Sequence, residues 1–503
     1  MKKRFLRSFA CLITASTMLL TACGGSGNNT SVTPTPAASV TETPTSNTDD
    51  TAKTDTATDA ANFTVPEGGY DGSAVTLTFY HTMGTNLSAV LEEYIAEFNK
   101  LYPNITIEWS QVGSYDDVRD QISQELTVGS EPNIAYCYPD HVALYNLAKG
   151  VVHLDNLISS TETVTHADGT TEILGLTDAQ INDFIDGYYA EGSSYGDSHM
   201  YTLPFSKSTE VLYYNKTFFD ENGLSVPTTW DEMEELCYLI KEIDPECIPL
   251  GYDSEANWFI TMCEQYGSPY TSATGDHFLF DNDTNKAFVK RFREWYQNDL
   301  VTTQQLYGAY TSGLFVAEEG TRSYMSIGSS AGATHQRPTA DSSGNYPFEV
   351  GITSIPQVDP SNPKVISQGP SVCIFKKDNP QEVIASWLFV KYLTTNVEFQ
   401  AAFSIASGYV PVLKSVEDNP IYAAHLAKAD GGTYISALSA KVCLEQEDAY
   451  YVSPAFNGSS KARDQVQSLL QKCFLITTDV DKNIDVDKNI DAAFAEAVAN
   501  CNY

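Results

Sequence analysis

Gly328-Ser329-Ser330-Ala331-Gly332 is the segment whose spacing points most directly to covalent chemistry. A serine flanked by glycines in this way forms the strained elbow of α/β-hydrolases, which lifts a nucleophilic hydroxyl above a sheet. A strand-like run, Ser323 to Ile327, comes before it, and His425 follows in the order a general base would need. No H-G-G-G loop is present to supply an oxyanion hole. A surface hydrolase acting on a sugar ester or glycan through Ser330 therefore stands as the alternative reading. In the other reading, Ser329 and Ser330 cap a helix N-terminus whose N–H groups face an oxygen-rich ligand. The sequence contains no H-E-x-x-H, Walker loop or G-x-G-x-x-G, so no catalytic residue and no cofactor is expected.

A second set of residues suits recognition without reaction. A sugar ring presents an apolar C–H face and a rim of hydroxyls, so it calls for an aromatic plate and well-placed acceptors. Trp258 and several of the 30 tyrosines offer plates, and Asp140 and Glu210 offer carboxylate acceptors. Trp230 and Trp295 fall in helical patterns and read as core. Near the C-terminus, Asp479-Val480-Asp481-Lys482-Asn483-Ile484 is repeated at once, and Asp485, Asp487, Asn489, Asp491 and Glu496 partly imitate a calcium loop. Ile490 stands where such a loop needs glycine for its sharp turn, so the segment reads as a local duplication in an exposed loop and no metal is expected.

Lys2, Lys3, Arg4 and Arg7 precede an apolar run, Phe9 to Leu20, that is too short for a permanent membrane span. Leu20-Thr21-Ala22-Cys23 follows and has the form of a lipobox, which makes residues 1–22 a signal peptide and Cys23 a lipidation site on the extracytoplasmic face of the cell membrane. From Gly24 to Ala61 there is no aromatic residue, so the segment cannot offset its chain entropy by burial and reads as a disordered tether reaching about 40 Å. The formal charge is −36, and a chain this acidic is a poor partner for nucleic acid. Eight cysteines remain beyond Cys11 and Cys23 with no C-x-x-C pair. They read as scattered small core residues, which leaves one or two disulfides open and their pairing undetermined.

The elements that must position these groups are legible from periodicity. Val75 to Tyr80, Ile105 to Trp109 and Ile134 to Tyr138 read as strands, and apolar residues at helical spacing lie between them. Strand–helix alternation with short turns means a doubly wound α/β sheet, whose ligands bind beyond the carboxyl ends of the strands. His81, Tyr115, Tyr138 and Asp140 fall at those ends. A second module opens with the strand Glu210 to Asn215 and a helix starting at Pro227, where Thr229 and Glu232 are spaced as a capping box. Further helical runs cover Thr284–Asn298, Pro380–Thr394 and Lys461–Phe474. About 430 residues beyond the tether make two domains the natural expectation.

Tyr201-Thr202-Leu203-Pro204-Phe205-Ser206-Lys207-Ser208-Thr209-Glu210-Val211-Leu212-Tyr213-Tyr214-Asn215-Lys216 resembles the hinge segment of family 1 extracellular solute-binding proteins, as does Pro227 to Glu232 after it. Phe79 to Met83 and Gly408-Tyr409-Val410-Pro411 are similar to the subgroup that binds glycerol phosphate. The resemblance implies a two-lobe periplasmic-binding-protein-like fold of type II. The lobes expected are 74–208 plus 353–396 and 209–352 plus 397–503, joined by a hinge around a ligand cleft. It also implies a monomer that captures a carbohydrate and delivers it to ABC-importer permease subunits. Carried across residue by residue, Tyr115, Tyr138 and Asp140 would line the first lobe, Ser206 to Thr209 would lie at the crossover, Trp258, Ser329 and Ser330 would come from the second lobe, Gly369 from the return segment and Tyr409 from the C-terminal part. His81, Glu210 and Asn457 complete the set of expected ligand-binding residues. The arginine that would hold a phosphate has no counterpart in Ser453 to Gly458, where the nearest basic residue noted is Lys461, so the resemblance points to an uncharged mono- or oligosaccharide.

Overall fold

The structure is a computed structural model that describes residues 62–195, 197–477 and 484–502. Cys23, the lipobox and the tether up to residue 61 lie outside the described residues, as does the start of the Asp-rich duplication. Among the described residues no helix is long and apolar enough to cross a membrane.

Strands β1 (Val75–His81), β2 (Ile105–Gln111) and β3 (Ile134–Cys137) pair in parallel through β1 at the centre. The residues of β1 alternate between buried and accessible, so Val75, Leu77, Phe79 and His81 all face the core. A small hairpin, β4 (Thr163–Thr165) and β5 (Thr171–Ile173), precedes the short strand β6 (Leu203–Pro204). The chain then builds a second sheet from β7 (Glu210–Asn215), β8 (Leu250–Tyr252), β9 (Val301–Thr303), β10 (Met325–Ser329) and β11 (Val350–Ser354), in the order β11-β7-β10-β8-β9. After β12 (Val365–Ile366) it returns to the first sheet as β13 (Ser371–Ile374), completing the order β2-β1-β3-β13-β6. The last strand, β14 (Tyr450–Tyr451), pairs with β12.

Each sheet has its own core. Leu77, Phe79, Phe98, Trp387 and Phe389 fill the first, and Trp230, Trp258, Phe292, Trp295 and Phe474 fill the second. The helix Pro380–Thr395 is apolar nearly all round and lies buried against the first sheet, as expected of a helix with no solvent face. The boundaries between the cores differ from those expected. Ile355, Val365 and Ile366 pack in the second core, so the chain leaves that core near residue 367 rather than 353. Phe399, Phe403, Val412 and Tyr422, expected in the second lobe, pack in the first core. These aromatic and branched side chains follow a helix already buried in that core, and they extend it rather than starting another.

Three chain segments cross between the sheets side by side. Lys207 exchanges backbone hydrogen bonds with Val410, and Ser208 exchanges them with Gln368. Beneath them the Lys207 ammonium sits 2.7 Å from the Glu191 carboxylate, both buried, and also donates to the Gly369 carbonyl and the Ser371 hydroxyl. A buried pair is sustained only when its remaining donors and acceptors are also met, and these partners meet them. Among the described residues the eight cysteines, from Cys137 to Cys501, are all buried free thiols.

Candidate functional site

A cleft of about 670 Å³, counting the part that opens to solvent, lies where the two sheets face each other. One wall comes from the turn after β3, where Tyr138, Pro139 and Asp140 begin the helix Pro139–Tyr145. The opposite wall comes from the helix Glu255–Gln265, through Asn257 and Ile260, and from the helix Ser459–Phe474, through Ser459 and Arg463. Ile366, Ser367 and Gln368 from the crossing segment form the floor, and Tyr270 and the loop Val452-Ser453-Pro454 complete the rim. The walls also touch directly, because Arg119 Nη1 donates to the Ser460 hydroxyl at 3.1 Å.

The local sequence explains why these side chains point inward. Ser254 caps the helix Glu255–Gln265 by accepting from the Asn257 N–H. This fixes the first turn so that Asn257 faces the cleft while Trp258, next in the chain, faces the second core. Asn257 accepts a hydrogen bond from the Arg463 guanidinium and donates to Glu210 Oε1 at 2.9 Å. Tyr252 donates its hydroxyl to Glu210 Oε2 at 2.6 Å. Burial pushes the Glu210 carboxyl up to about 7, against the pull of these two donors and of Arg463. Tyr138 lies under the cleft with its ring centroid 4.7 Å from that of Tyr115, whose hydroxyl is 3.2 Å from that of Tyr409. The Tyr270 hydroxyl is buried without a hydrogen-bond partner in the protein. An orphaned donor in a cleft wall is costly unless a ligand or water meets it.

Of the residues singled out from sequence, Tyr138 and Asp140 line the cleft, and Tyr115 and Tyr409 stand behind Tyr138. The others are placed differently. His81 continues the inward face of β1; its Nδ1 accepts from the Met83 N–H, and burial lowers its imidazole to about 4. Trp258 is fully buried, stacked 4.7 Å from Tyr252 and packed on Phe292 at 4.2 Å, because it occupies the core side of its helix. Glu210 is one residue removed from the cleft, behind Asn257. Ser206 is buried in the crossing segment, and the Thr209 hydroxyl donates to the Ile366 carbonyl. Gly369 holds φ at +92°, and a Cβ there would come within 2.5 Å of the Ser206 carbonyl oxygen, so it permits the strands to cross rather than touching a ligand. Asn457 is exposed on the loop before Gly458.

The two serines of the Gly328–Gly332 segment serve the crossover. The Ser330 hydroxyl accepts from the Thr209 N–H and the Ser330 N–H donates to the Thr209 carbonyl, while Ser330 itself is fully buried. The Ser329 hydroxyl accepts from the Ala331 N–H. The chain continues from β10 as a 3₁₀ turn, Ser330–Gln336, so Ser330 is not raised on an exposed strand-to-helix elbow. The calcium-like spacing also dissolves, because residues from Val486 onward form a helix that Asp485 caps. Asp487 and Asp491 there pair with Lys290 and Lys286.

Sequence reasoning missed Asn257, Tyr270, Ser367, Gln368, Ser453, Ser459 and Arg463. Arg463 lies two residues beyond Lys461, on the inner face of the helix Ser459–Phe474, whose apolar stripe the spacing predicts. That stripe carried the signal, since a long cation one turn in from a helix start can reach inward.

The family model described as "Bacterial extracellular solute-binding protein" matches residues 93–429. The sn-glycerol-3-phosphate-binding periplasmic protein of Escherichia coli K12 is 23% identical over 185 residues, 36% of this chain and 38% of its own length. The counterpart in Salmonella typhimurium is 24% identical over the same span. Among solved structures, UgpB of Mycobacterium tuberculosis in complex with glycerophosphocholine superposes with a TM-score of 0.67 at 17% identity, covering 86% of this chain and 99% of that one. A Listeria monocytogenes ABC substrate-binding protein in complex with cycloalternan gives 0.65 at 15% identity, covering 86% and 100%. The Arthrobacter globiformis cyclic α-maltosyl-1,6-maltose-binding protein gives 0.63 at 17% identity, covering 85% and 99%. At these identities the likeness is one of fold.

Proposed function

This chain belongs to the bacterial extracellular solute-binding protein family, whose members bind solutes and are not enzymes, and from that premise we propose that its cleft captures an uncharged carbohydrate for delivery to an ABC importer. The observation that carries the reading is the pairing of the two walls. Tyr138 supplies a ring against which a sugar's C–H face can lie, and Tyr270 supplies an unmet hydroxyl. Asp140, Asn257, Gln368 and Arg463, which line the cleft, add acceptors and donors. A ligand with an apolar face and many hydroxyls meets both needs at once.

Arg463 removes the original ground for excluding a phosphate, since the cleft does hold a guanidinium. Its surroundings supply a different ground. Glu210 and Asp464 are both under its electrostatic influence, and Asp140 lines the same cleft. These carboxyl groups compete for the Arg463 guanidinium, which makes it a poor clamp for a phosphate and a good orienter of hydroxyls. A glycerol phosphodiester is the second reading, favoured by the guanidinium itself.

A thermal-shift screen separates the two. Linear and cyclic α-glucans, monosaccharides, glycerol phosphate and glycerophosphocholine are tested in parallel, each mixture being assayed afterwards for breakdown products. A ligand that binds only the native state raises Tm, and the rise grows with the logarithm of its concentration above Kd. The proposal expects an uncharged saccharide to raise Tm and to be recovered intact. A rise confined to the phosphate esters, or the appearance of hydrolysis products, goes against it.

A further inference from the structure

Away from the cleft, two histidines that are distant in sequence meet face to face in the first lobe. The imidazoles of His153 and His199 stack with centroids 4.2 Å apart and planes 26° from parallel. The Asp155 carboxylate joins them, with Oδ2 3.2 Å from His199 Nδ1. One ligand atom from each of the three residues lies within 4.8 Å of the others. The arrangement is held from both sides. The Leu154 N–H donates to the Met200 carbonyl at 2.7 Å, and the Met200 N–H donates back to the Asp155 carboxylate. Ser198, just before His199, adopts φ +65°, a left-handed conformation that a non-glycine residue seldom takes without a compensating contact. The Asn62 side-chain oxygen sits 3.2 Å from His153 Nδ1, the kind of outer partner that fixes ring orientation at a metal centre.

We propose that His153, Asp155 and His199 form a binding site for a borderline divalent transition-metal ion of the zinc class. Two imidazoles and one carboxylate match the ligand preference of such ions, whereas magnesium and calcium favour oxygen-only cages. Bonds of about 2.0–2.1 Å would set the ligand atoms roughly 3.4 Å apart, and since an ion lies in the plane of each imidazole that binds it, one of the two stacked rings must turn out of the stack to bind. The His199 and Asp155 side chains are 41% and 42% exposed, which leaves room for water to complete the coordination shell. His153 is buried and supplies the fixed wall. The ion would tie the segment at residues 153–155 to the one at 197–201, a clip distant from the ligand cleft.

The test uses the chain without a histidine tag, stripped with a chelator and dialysed against Zn²⁺, with Mg²⁺ in parallel. Wild type is expected to retain one Zn²⁺ per chain and to show a Tm that climbs with Zn²⁺ and falls on chelation, with no response to Mg²⁺. His199→Ala and Asp155→Asn, both at accessible side chains, are expected to weaken Zn²⁺ retention at least tenfold with circular dichroism unchanged. His335→Ala, at an exposed histidine elsewhere, should retain Zn²⁺ as wild type does. Absence of Zn²⁺ binding by wild type, or equal retention by the His199→Ala chain, overturns the proposal.

Discussion

Asn257 bonds to two charged groups at once, accepting from Arg463 and donating to Glu210, and Asn257→Ala removes both contacts. The guanidinium then loses its orientation toward the cleft, and the buried carboxyl loses one of its two donors. Ligand affinity should fall about tenfold or more, the equivalent of roughly 1.4 kcal/mol, by calorimetric titration. Trp258→Ala, one residue along, should behave in the opposite way. It empties a core site among Trp230, Tyr252 and Phe292 and should cost about 3–5 kcal/mol of unfolding free energy, with ligand affinity of the folded chain unchanged. Glu210 makes a third residue-scale prediction. Its carboxyl ordinarily titrates at 4.5 and is pushed up to about 7 by burial, so between these values the folded chain keeps a proton that the unfolded chain has released. The contribution to stability is full below the ordinary value and is lost as pH rises toward 7, by up to about 3 kcal/mol. Glu210→Gln should flatten the wild-type decline across that window in urea unfolding, and parallel curves for the two proteins would refute the assignment. At this scale residue type does not carry direction. Trp258 and Glu210 have the types a sugar site needs, but a helix turns by 100° per residue, so the cleft received Asn257 and the core received Trp258, with Glu210 behind Asn257.

The elements themselves were readable because their signals are local. Alternation marked β1 and β2, helical spacing marked Asp283–Gln297 and Pro380–Thr395, and the capping box appears as expected, with Thr229 accepting from the Glu232 N–H. What periodicity does not carry is the pairing of segments far apart in sequence. The contact of Lys207 with Val410, of Ser208 with Gln368 and of Ser330 with Thr209 has no local signature, so Ser206, Thr209, Ser330 and Gly369 looked like ligand contacts when they hold the crossing together. Gly369→Ala tests that placement. A methyl group at φ +92° and 2.5 Å from the Ser206 carbonyl oxygen cannot be accommodated without moving the crossing strands. The substitution should lower stability by more than about 1 kcal/mol in chemical denaturation, and a neutral effect would mean that the crossover is loose.

The scheme for the whole molecule is two sheets with separate cores, a narrow crossing and a ligand site between them. Such a body can close about its crossing segments when a ligand binds the closed form better than the open one. Division of the chain into two lobes was legible from its length and hinge-like motif, whereas assignment of residues 397–426 was not, because those helices join the first core from a late position in the chain. If Leu20-Thr21-Ala22-Cys23 directs lipidation, Cys23→Ser should shift the protein from the membrane fraction to the medium. The central claim, reversible capture of an uncharged carbohydrate in the cleft, is tested most directly by isothermal titration at low and high ionic strength with the saccharide that gives the largest thermal shift. The account predicts saturable binding of one ligand per chain, lost in the Asn257→Ala chain and little changed by salt, since few charges are exchanged. Tight binding of glycerol phosphate or glycerophosphocholine that weakens steeply with salt, with no saccharide bound, would contradict it.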